Sequence, residues 1–200
     1  MEILNTIVNK SKILKNVPIT VSLTKKNISA LIVKDNEKLV EKFVQNLIIQ
    51  LVALHSYEDL KLVFLLDEDK TKKWEHLKTL PHIWDNSRQV RFWAENYDDM
   101  KEISRDLEIE FLNRIESGNH DYKAFSPYYL IITDNYKKIE NLRIVTQILE
   151  SKANMGFGIF CIANDLLDLP NGCQTFINLE GSKGIMFENE ISSKGRTEFT

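Results

Sequence analysis

The chain has 200 residues, of which 43% are hydrophobic and 28% charged, which is the usual composition of a soluble globular domain. The net charge is −3 and the pI is about 5.9, so the composition predicts no overall basic surface for nucleic acid. No stretch approaches the roughly 18 consecutive apolar residues that a membrane span needs. The N-terminus lacks the basic-then-apolar order of a signal peptide. We therefore expect a soluble, intracellular domain that does not bind nucleic acid.

Periodicity divides the chain into three parts. Residues 1–16 are predicted to form a short amphipathic helix, the remnant of a stalk or linker. Residues 17–188 form the domain, and residues 189–200 read as a polar linker to a further module. Within the domain, strands are predicted at residues 19–23, 28–33, 61–66, 90–94, 128–133, 157–163, 174–179 and 183–187, and helices at 36–56, 71–80, 98–116 and 139–151.

The order of these elements indicates an α/β fold. Strands alternate with helices along most of the chain, and several strands are almost wholly apolar, as in a sheet covered on both faces. We predict a three-layer fold like that of the P-loop NTPases of the RecA and FtsK kind, with a mostly parallel sheet and helices on both faces.

The turn between the second predicted strand and its long helix is where a P-loop NTPase carries its phosphate loop. Such a loop needs glycines, a lysine for the phosphates and a hydroxyl for magnesium. The turn here is Lys34-Asp35-Asn36-Glu37-Lys38, and all seven glycines of the chain lie at or after Gly118. Asp35 and Glu37 would repel a triphosphate at the helix N-terminus, so the sequence predicts a degenerate nucleotide motif with no bound ATP or magnesium. Without glycine, any loop before residue 118 that needs a positive φ is expected to use Asn or Asp.

Two later strands end in polar residues that match the remaining nucleotide elements. Asp134 follows the strand 128–133, where such ATPases place a magnesium-binding carboxylate, and Asn135 stands where a hydrolase carries an acid that activates water. Asn164 follows the strand 157–163, in the position of a polar sensor residue. An Asp at a strand end is also a common turn former, and that interpretation of Asp134 stays open. No residue is predicted to be catalytic.

The remaining chemically active residues give no metal or nucleophile signature. His55, His76, His82 and His120 have no ligand spacing, so surface or capping roles are expected. Cys161 lies in an apolar run and is predicted to be buried, whereas Cys173 follows a turn and is expected to be more exposed. Trp84 is the best candidate for a docking contact among aromatic residues that are otherwise expected in the core.

Three segments resemble a known family: residues 14–23; residues 50–63, with Leu54-His55-Ser56; and Leu80-Pro81-His82-Ile83-Trp84-Asp85 followed by residues 90–94. Together they resemble the region ahead of the first FtsK/SpoIIIE-type ATPase domain in the membrane ATPases of type VII secretion, EssC and EccC. The resemblance covers about residues 10–190. The Leu-His-Ser and Leu-Pro-His-x-Trp segments carry most of its specificity.

The resemblance implies a membrane-proximal, ATPase-like domain, known as the DUF or D0 domain, of a larger ATPase. In that family the domain lies at the cytoplasmic face of the membrane, between transmembrane helices and tandem ATPase modules. Its implied role is to couple the membrane part to those modules during export of WXG100-type proteins. The implied partners are the downstream ATPase modules and other subunits of the secretion machine, with a hexamer for the full protein and a monomer for the isolated domain.

Two other functions remain open at this point. The domain could be a weak or regulatory ATPase that uses Asp134 and Lys38, completed by Arg88 or Arg91 of a neighbouring subunit. A free-standing protein-binding module is the third reading.

Overall fold

The computed structural model describes residues 20–34, 36–180, 183–188 and 197–199. The strands are β1 (Ile28–Val33), β2 (Leu60–Leu65), β3 (Trp93–Ala94), β4 (Tyr128–Thr133), β5 (Phe157–Ala163), β6 (Thr175–Glu180), β7 (Lys183–Glu188) and β8 (Thr197–Phe199). The α-helices are α1 (Glu37–Leu54), α2 (Tyr97–Glu116), α3 (Tyr136–Ile139) and α4 (Arg143–Glu150). A 3₁₀ helix of 12 residues spans Glu68–Thr79, and shorter ones span Pro81–Ile83, Tyr122–Ala124 and Leu166–Asp168.

The strands form one eight-stranded sheet in the order β3-β2-β4-β5-β1-β6-β7-β8. Strands β1 to β6 pair in parallel, whereas β7 and β8 add antiparallel strands at one edge. This mixed sheet confirms the predicted α/β fold with a mostly parallel sheet. Strand β5 lies between β1 and β4, so the ends of three strands that carry the predicted nucleotide elements are neighbours.

Helices cover both faces of the sheet, and the core is divided accordingly. On one face α1 packs through Val40, Val44 and Ile48 onto a cluster that includes Phe64 and Phe160. On the other face α2 and α4 enclose a second cluster, to which α2 contributes the residues spaced three or four apart Met100, Ile103, Leu107 and Phe111. Strands buried on both faces explain why β1 and β2 are almost continuously apolar.

Several predicted elements are shorter or of another kind. The strand predicted at 19–23 is wrong for residues 20–23, which are irregular or in a turn, because a side chain and a local turn rather than a neighbouring strand bind the main chain there. Tyr128 Oη donates to the carbonyl of Leu23, and the Lys26 amide donates to the Ser22 carbonyl. Ile19 lies outside the described residues.

The strand predicted at 90–94 is reduced to Trp93–Ala94. The Phe92 amide donates to the Ile83 carbonyl at 2.7 Å, and Arg91 forms a β-bridge with Trp84. The main chain of residues 91 and 92 therefore bonds to the preceding loop, which shortens the strand. The helix predicted at 71–80 is a 3₁₀ helix, Glu68–Thr79. The helix predicted at 139–151 is divided into α3 and α4.

The predicted domain boundaries can be compared with the described residues near the two ends of the chain. Residues 1–16, predicted to be a stalk remnant, lie outside the described residues. Thr197–Phe199, within the predicted linker 189–200, pairs with β7 as the edge strand β8. The boundaries at 17 and 188 stay predictions. None of the helices in the described residues combines the length and the hydrophobicity of a transmembrane span.

Candidate functional site

A cleft of about 400 Å³ lies at the carboxyl ends of β1, β4 and β5. It brings together residues that the sequence predicts as nucleotide elements, namely Asn36, Glu37, Asp134, Asn135 and Asn164. Parallel strands present their carboxyl ends at one edge of the sheet, and ligands of α/β proteins usually bind there. The predicted juxtaposition is therefore present, although the roles of these residues stay predictions.

The β1–α1 turn is closed by its own side chain. Asn36 Oδ1 accepts a hydrogen bond from the Leu39 amide at 3.1 Å, and the Asn36 carbonyl accepts from the Val40 amide at 3.1 Å. Glu37 adds a negative charge in the first turn of the helix. In a phosphate loop, free amides and the positive end of the helix dipole would bind a phosphate. Here the Leu39 amide is already bound by Asn36, and Glu37 already offsets the dipole. Asp35 lies outside the described residues.

The two lysines of this turn do not converge on the cleft. Lys34 and Lys38 are exposed, and neither is among the described residues that line the cleft. Lys34 lines a neighbouring cleft between this turn and β6. The candidate substitute for a phosphate-binding lysine, Lys38, is therefore not positioned over this cleft. Lys73 and Lys137 supply the positive charge in its lining.

Asp134 is buried at the end of β4, with 9% of its surface exposed. Its Oδ1 accepts a hydrogen bond from the Asp67 amide at 2.8 Å. Asp67 follows β2, the strand that pairs with β4. The carboxylate of Asp134 thus ties the ends of two adjacent strands together.

The carboxylate of Asp67 is held from the other side by residues that follow Asp134. Asn135 Nδ2 donates to Asp67 Oδ2 at 3.0 Å, and the Lys138 ammonium pairs with Asp67 Oδ1. The hydrogen bond with Asp67 raises the pKa of Lys138. An ammonium group of the chain itself therefore supplies positive charge beside the strand-end carboxylates.

A second ion pair joins α3 to the turn after β5. Lys137 Nζ lies 2.6 Å from Asp168 Oδ1, and this hydrogen bond raises the pKa of Lys137. Both residues line the cleft. Polar contacts consequently link the end of β2 to the end of β4, and α3 to the turn after β5.

Sequence reasoning missed Asp67, Lys137, Lys138 and Asp168. A local signal existed for Asp67, because it closes a buried strand just as Asp134 does. The two lysines stand in a polar segment, and nothing in the local sequence distinguishes them from surface residues. Their partners lie 71 and 31 residues away along the chain.

The other residues singled out from the sequence have structural roles here. His82 is buried, and its Nε2 donates to the His55 carbonyl at 2.9 Å. Trp84 is half-buried against the core, with the Arg91 guanidinium 4.6 Å from its ring centre. Among the described residues no group of three His, Cys, Asp or Glu side chains could hold a metal ion.

Comparison with known proteins finds similar sequences at low identity. The ESX secretion system protein EccC of Geobacillus thermodenitrificans is 22% identical over 163 residues, or 82% of this chain. The type VII secretion system protein EssC of Staphylococcus aureus is 20% identical over 147 residues, or 71% of this chain. Over these stretches the chain is similar in sequence to type VII secretion proteins. It spans about a tenth of the length of these relatives, 11% and 10%. No protein-family model matches the sequence.

Solved type VII secretion ATPases share the fold. The cytoplasmic domain of EccC from Thermomonospora curvata aligns with a TM-score of 0.65 at 12% identity, over 90% of this chain and 24% of that one. A fragment of EssC from Geobacillus thermodenitrificans with ATPases 2 and 3 aligns with a TM-score of 0.64 at 14% identity, over 86% of this chain and 39% of that one. This chain therefore has the fold of the ATPase domains in these proteins.

Proposed function

We propose that this chain is a non-catalytic ATPase-fold domain of a type VII secretion ATPase. In this proposal it is one domain of a longer polypeptide and lies near the cytoplasmic face of the membrane. It couples the membrane region to downstream ATPase modules of the same polypeptide during protein export. The complete protein would be the ATPase and would assemble into a hexamer, with WXG100-type proteins as its cargo.

The observation that carries the proposal is the state of the cleft at the carboxyl ends of the strands. Asn36 and Glu37 occupy the helix N-terminus where a phosphate would bind. Lys138 and Asn135 engage Asp67, and Lys137 engages Asp168. A nucleotide in this cleft would approach the carboxylates of Glu37 and Asp134, which opposes binding of a polyanion.

The opposite end of the sheet supports a mechanical role. Residues 20–27 run along the amino ends of the strands, where Asn154 Nδ2 donates to the Thr24 carbonyl at 2.8 Å. Asn27 Nδ2 donates to the Phe157 carbonyl at 3.1 Å. A displacement of the entering segment would thus pass directly into β4 and β5, whose other ends border the cleft.

The proposal that the domain is non-catalytic predicts that it does not bind ATP. Calorimetric titration of the isolated domain with ATP and magnesium tests this. We expect no saturable heat, corresponding to a Kd weaker than about 1 mM. Micromolar binding that disappears in Asp134→Ala would overturn the proposal. Asp98→Ala is the matched control, because the side chain of Asp98 is 94% exposed on a helix remote from the cleft lining.

The cleft itself favours a second candidate, a weak or regulatory nucleotide site at a subunit interface. It has about 400 Å³ and retains Asp134 and Asn164. Arg88 and Arg91 do not line it in the described residues, so they would have to act on a neighbouring subunit.

This second candidate predicts ATP turnover that rises with protein concentration or when downstream modules are attached. The matched comparison is a protein that carries both Asp134→Ala and Lys38→Ala. Equal turnover in this variant and the wild type would eliminate the second candidate. The second candidate would be supported if the double variant had less turnover than the wild type at high protein concentration only.

A further inference from the structure

An apolar groove of about 270 Å³ lies between the entering segment and the end of α1. Leu60 and Tyr128, the first residues of β2 and β4, both line it, so it lies at the amino ends of the strands and away from the cleft. Among the described residues that line it, apolar side chains outnumber polar ones. The apolar lining consists of Val21, Leu23, Leu51, Leu60, Tyr128 and Leu130. We call this site the amino-end groove.

The end of α1 that borders the groove offers further apolar surface and no positively charged side chain. Leu54, one helical turn after the lining residue Leu51, is 77% exposed. Residues 43–60 contain no Lys or Arg, and Glu58 and Asp59 are their only acidic residues. Both acidic residues are exposed, and Asp59 lines the groove. Charge complementarity therefore favours an occupant that is apolar and basic.

The first residues of the chain itself have this composition. Residues 1–19 lie outside the described residues, and they lead directly into Val21, which lines the groove. Their sequence includes the apolar residues Ile3, Leu4, Ile7 and Val8, the basic residues Lys10, Lys12 and Lys15, and one acidic residue, Glu2.

Attachment to the same chain favours this segment over a second copy of the protein. The chain between Val8 and Val21 reaches at most about 45 Å when it is extended, which is enough to bring Val8 into a groove whose wall includes Val21. A short tether gives the segment a local concentration on the order of 1 mM, far above that of a second copy in dilute solution. A weak contact is therefore sufficient to fill the groove from within the molecule.

We propose that residues 3–15 dock in the amino-end groove of the same molecule. The four apolar residues at the start of this segment contact the groove, and the lysines that follow lie beside Glu58 and Asp59. The docked segment covers Leu23, whose carbonyl accepts from Tyr128 Oη at 2.8 Å, and thereby holds the entering segment against β4. This inference concerns contacts within the chain and goes beyond the proposed function, because ATP binding by the domain would overturn that function without affecting the docking.

Photocrosslinking in the complete chain tests the docking. p-Benzoylphenylalanine replaces His55, an exposed residue that lines the groove, and the matched control replaces Ile109, which is 61% exposed on α2 at the other face of the sheet. We expect position 55 to crosslink to residues 3–15 in the monomeric product, mapped by mass spectrometry, and position 109 to lack this crosslink. Crosslinks from position 55 only to a second copy, or to no residue of 3–15, would overturn the proposal.

Substitutions in the segment separate docking from simple proximity. Ile7→Asp together with Val8→Asp should reduce the yield of the crosslink from position 55 at least tenfold, because a charge opposes burial in an apolar groove. Asn5→Asp together with Asn9→Asp adds the same charge at polar positions and should retain at least half of the yield. Equal yields in the two double variants would contradict the docking, since the apolar residues would then have no specific role.

Discussion

At the scale of single residues, Lys61 is a buried cation in β2. It is 1% exposed, and its Nζ finds no hydrogen-bond partner among the described residues. The ring centre of Tyr57 lies 5.5 Å from Nζ. Burial lowers the pKa of Lys61 from 10.5, partly offset by Asp85 and Glu58. The side chain therefore opposes folding while it is charged.

We predict that Lys61→Met raises the free energy of unfolding at pH 7 by about 1–3 kcal/mol, because it removes an unpartnered buried donor. The unfolded chain binds more protons than the folded one between the lowered pKa and 10.5, so wild-type stability should rise with pH in that window. The advantage of the variant should shrink as pH approaches 10.5. Urea unfolding at pH 7 and at pH 10 measures both effects.

The exposed Lys72 supplies the control, since Lys72→Met should change stability by less than about 0.5 kcal/mol at either pH. Destabilisation by Lys61→Met at pH 7 would show that the ammonium group has a favourable partner.

Arg88 shows a conformation that composition did not anticipate. The absence of glycine before residue 118 predicted Asn or Asp wherever φ is positive, but Arg88 has φ +56°. That expectation was wrong because the side chain of Asp85 holds the main chain on the far side of Arg88. Its Oδ1 accepts from the amides of Gln89 and Val90 at 2.7 and 2.9 Å. Contacts of the loop can thus outweigh the intrinsic preference of one residue.

At the scale of elements, Arg114 connects α2 to the amino ends of two strands. It is 4% exposed and donates to the carbonyls of Pro127 and Met155 at 2.8 and 2.9 Å. Its guanidinium also lies 5.0 Å from the ring centre of Phe157. Glu110 pairs with its Nε at 2.7 Å. This side chain joins the helix layer to β4 and β5.

Replacement of Arg114 by Met should destabilise the domain by about 3 kcal/mol or more, because carbonyls and a partly buried carboxylate lose a charged donor. Arg114→Lys should recover little, since an ammonium cannot reproduce the planar fork. Arg105→Met, at an exposed position of the same helix, is the control. Urea midpoints for Arg114→Met and Arg105→Met that coincide would refute this role.

The entering segment is a second element held by side chains. Tyr128 Oη donates to the Leu23 carbonyl at 2.8 Å and accepts from Asn154 Nδ2 at 3.3 Å. Burial raises the pKa of Tyr128, so its hydroxyl remains a donor at neutral pH. The segment is thereby attached to β4.

Tyr128→Phe should therefore increase hydrogen exchange of the amides at residues 22–27 by about two- to tenfold, the range for losing one hydrogen bond of about 0.5–1.5 kcal/mol. Exchange in β4 and β5 should stay unchanged. Tyr97→Phe, at a tyrosine that is 44% exposed, serves as the control. Unaltered exchange at residues 22–27 in Tyr128→Phe would show that other contacts hold the segment.

At the scale of the whole molecule, the two cysteines show how completely one core cluster is shielded from solvent. Cys161 and Cys173 are both 1% exposed and both belong to the cluster under α2 and α4. The predicted burial of Cys161 is confirmed. The expected exposure of Cys173 is wrong, because the turn before it folds back and its Sγ lies 3.5 Å from the Thr175 carbonyl.

Neither thiol should react with Ellman's reagent at pH 8 in the folded domain, whereas both should react in urea. Burial raises the pKa of Cys161 and raises that of Cys173 to about 12, so the reactive thiolate is scarce. The labelling rate should follow global opening of the domain. Rapid reaction of one thiol without urea, lost in Cys173→Ser, would show that the turn exposes Cys173.

Short-range patterns of residues are sufficient to predict the α/β class and most of the sheet. Near-continuous apolar runs such as β1, β2 and β4 have one stable environment, a sheet covered on both faces, and the periodicity of α1 and α2 supplied the cover. The β1–α1 turn was equally local, because the lack of glycine and the presence of Asn36 and Glu37 can be read without any partner. These features follow from short-range sterics and helix capping.

The residues that surround that turn depend on how the strands assemble into the sheet. The order β3-β2-β4-β5-β1-β6-β7-β8 brings Asp67 and Lys138 together from 71 residues apart. It likewise places Asp134 against the Asp67 amide. Local patterns cannot specify such contacts, since they depend on which strands become neighbours in the sheet and on the direction of each strand end. The turn carries Asn36 and Glu37 and no glycine, and only the assembled sheet shows which side chains lie around it.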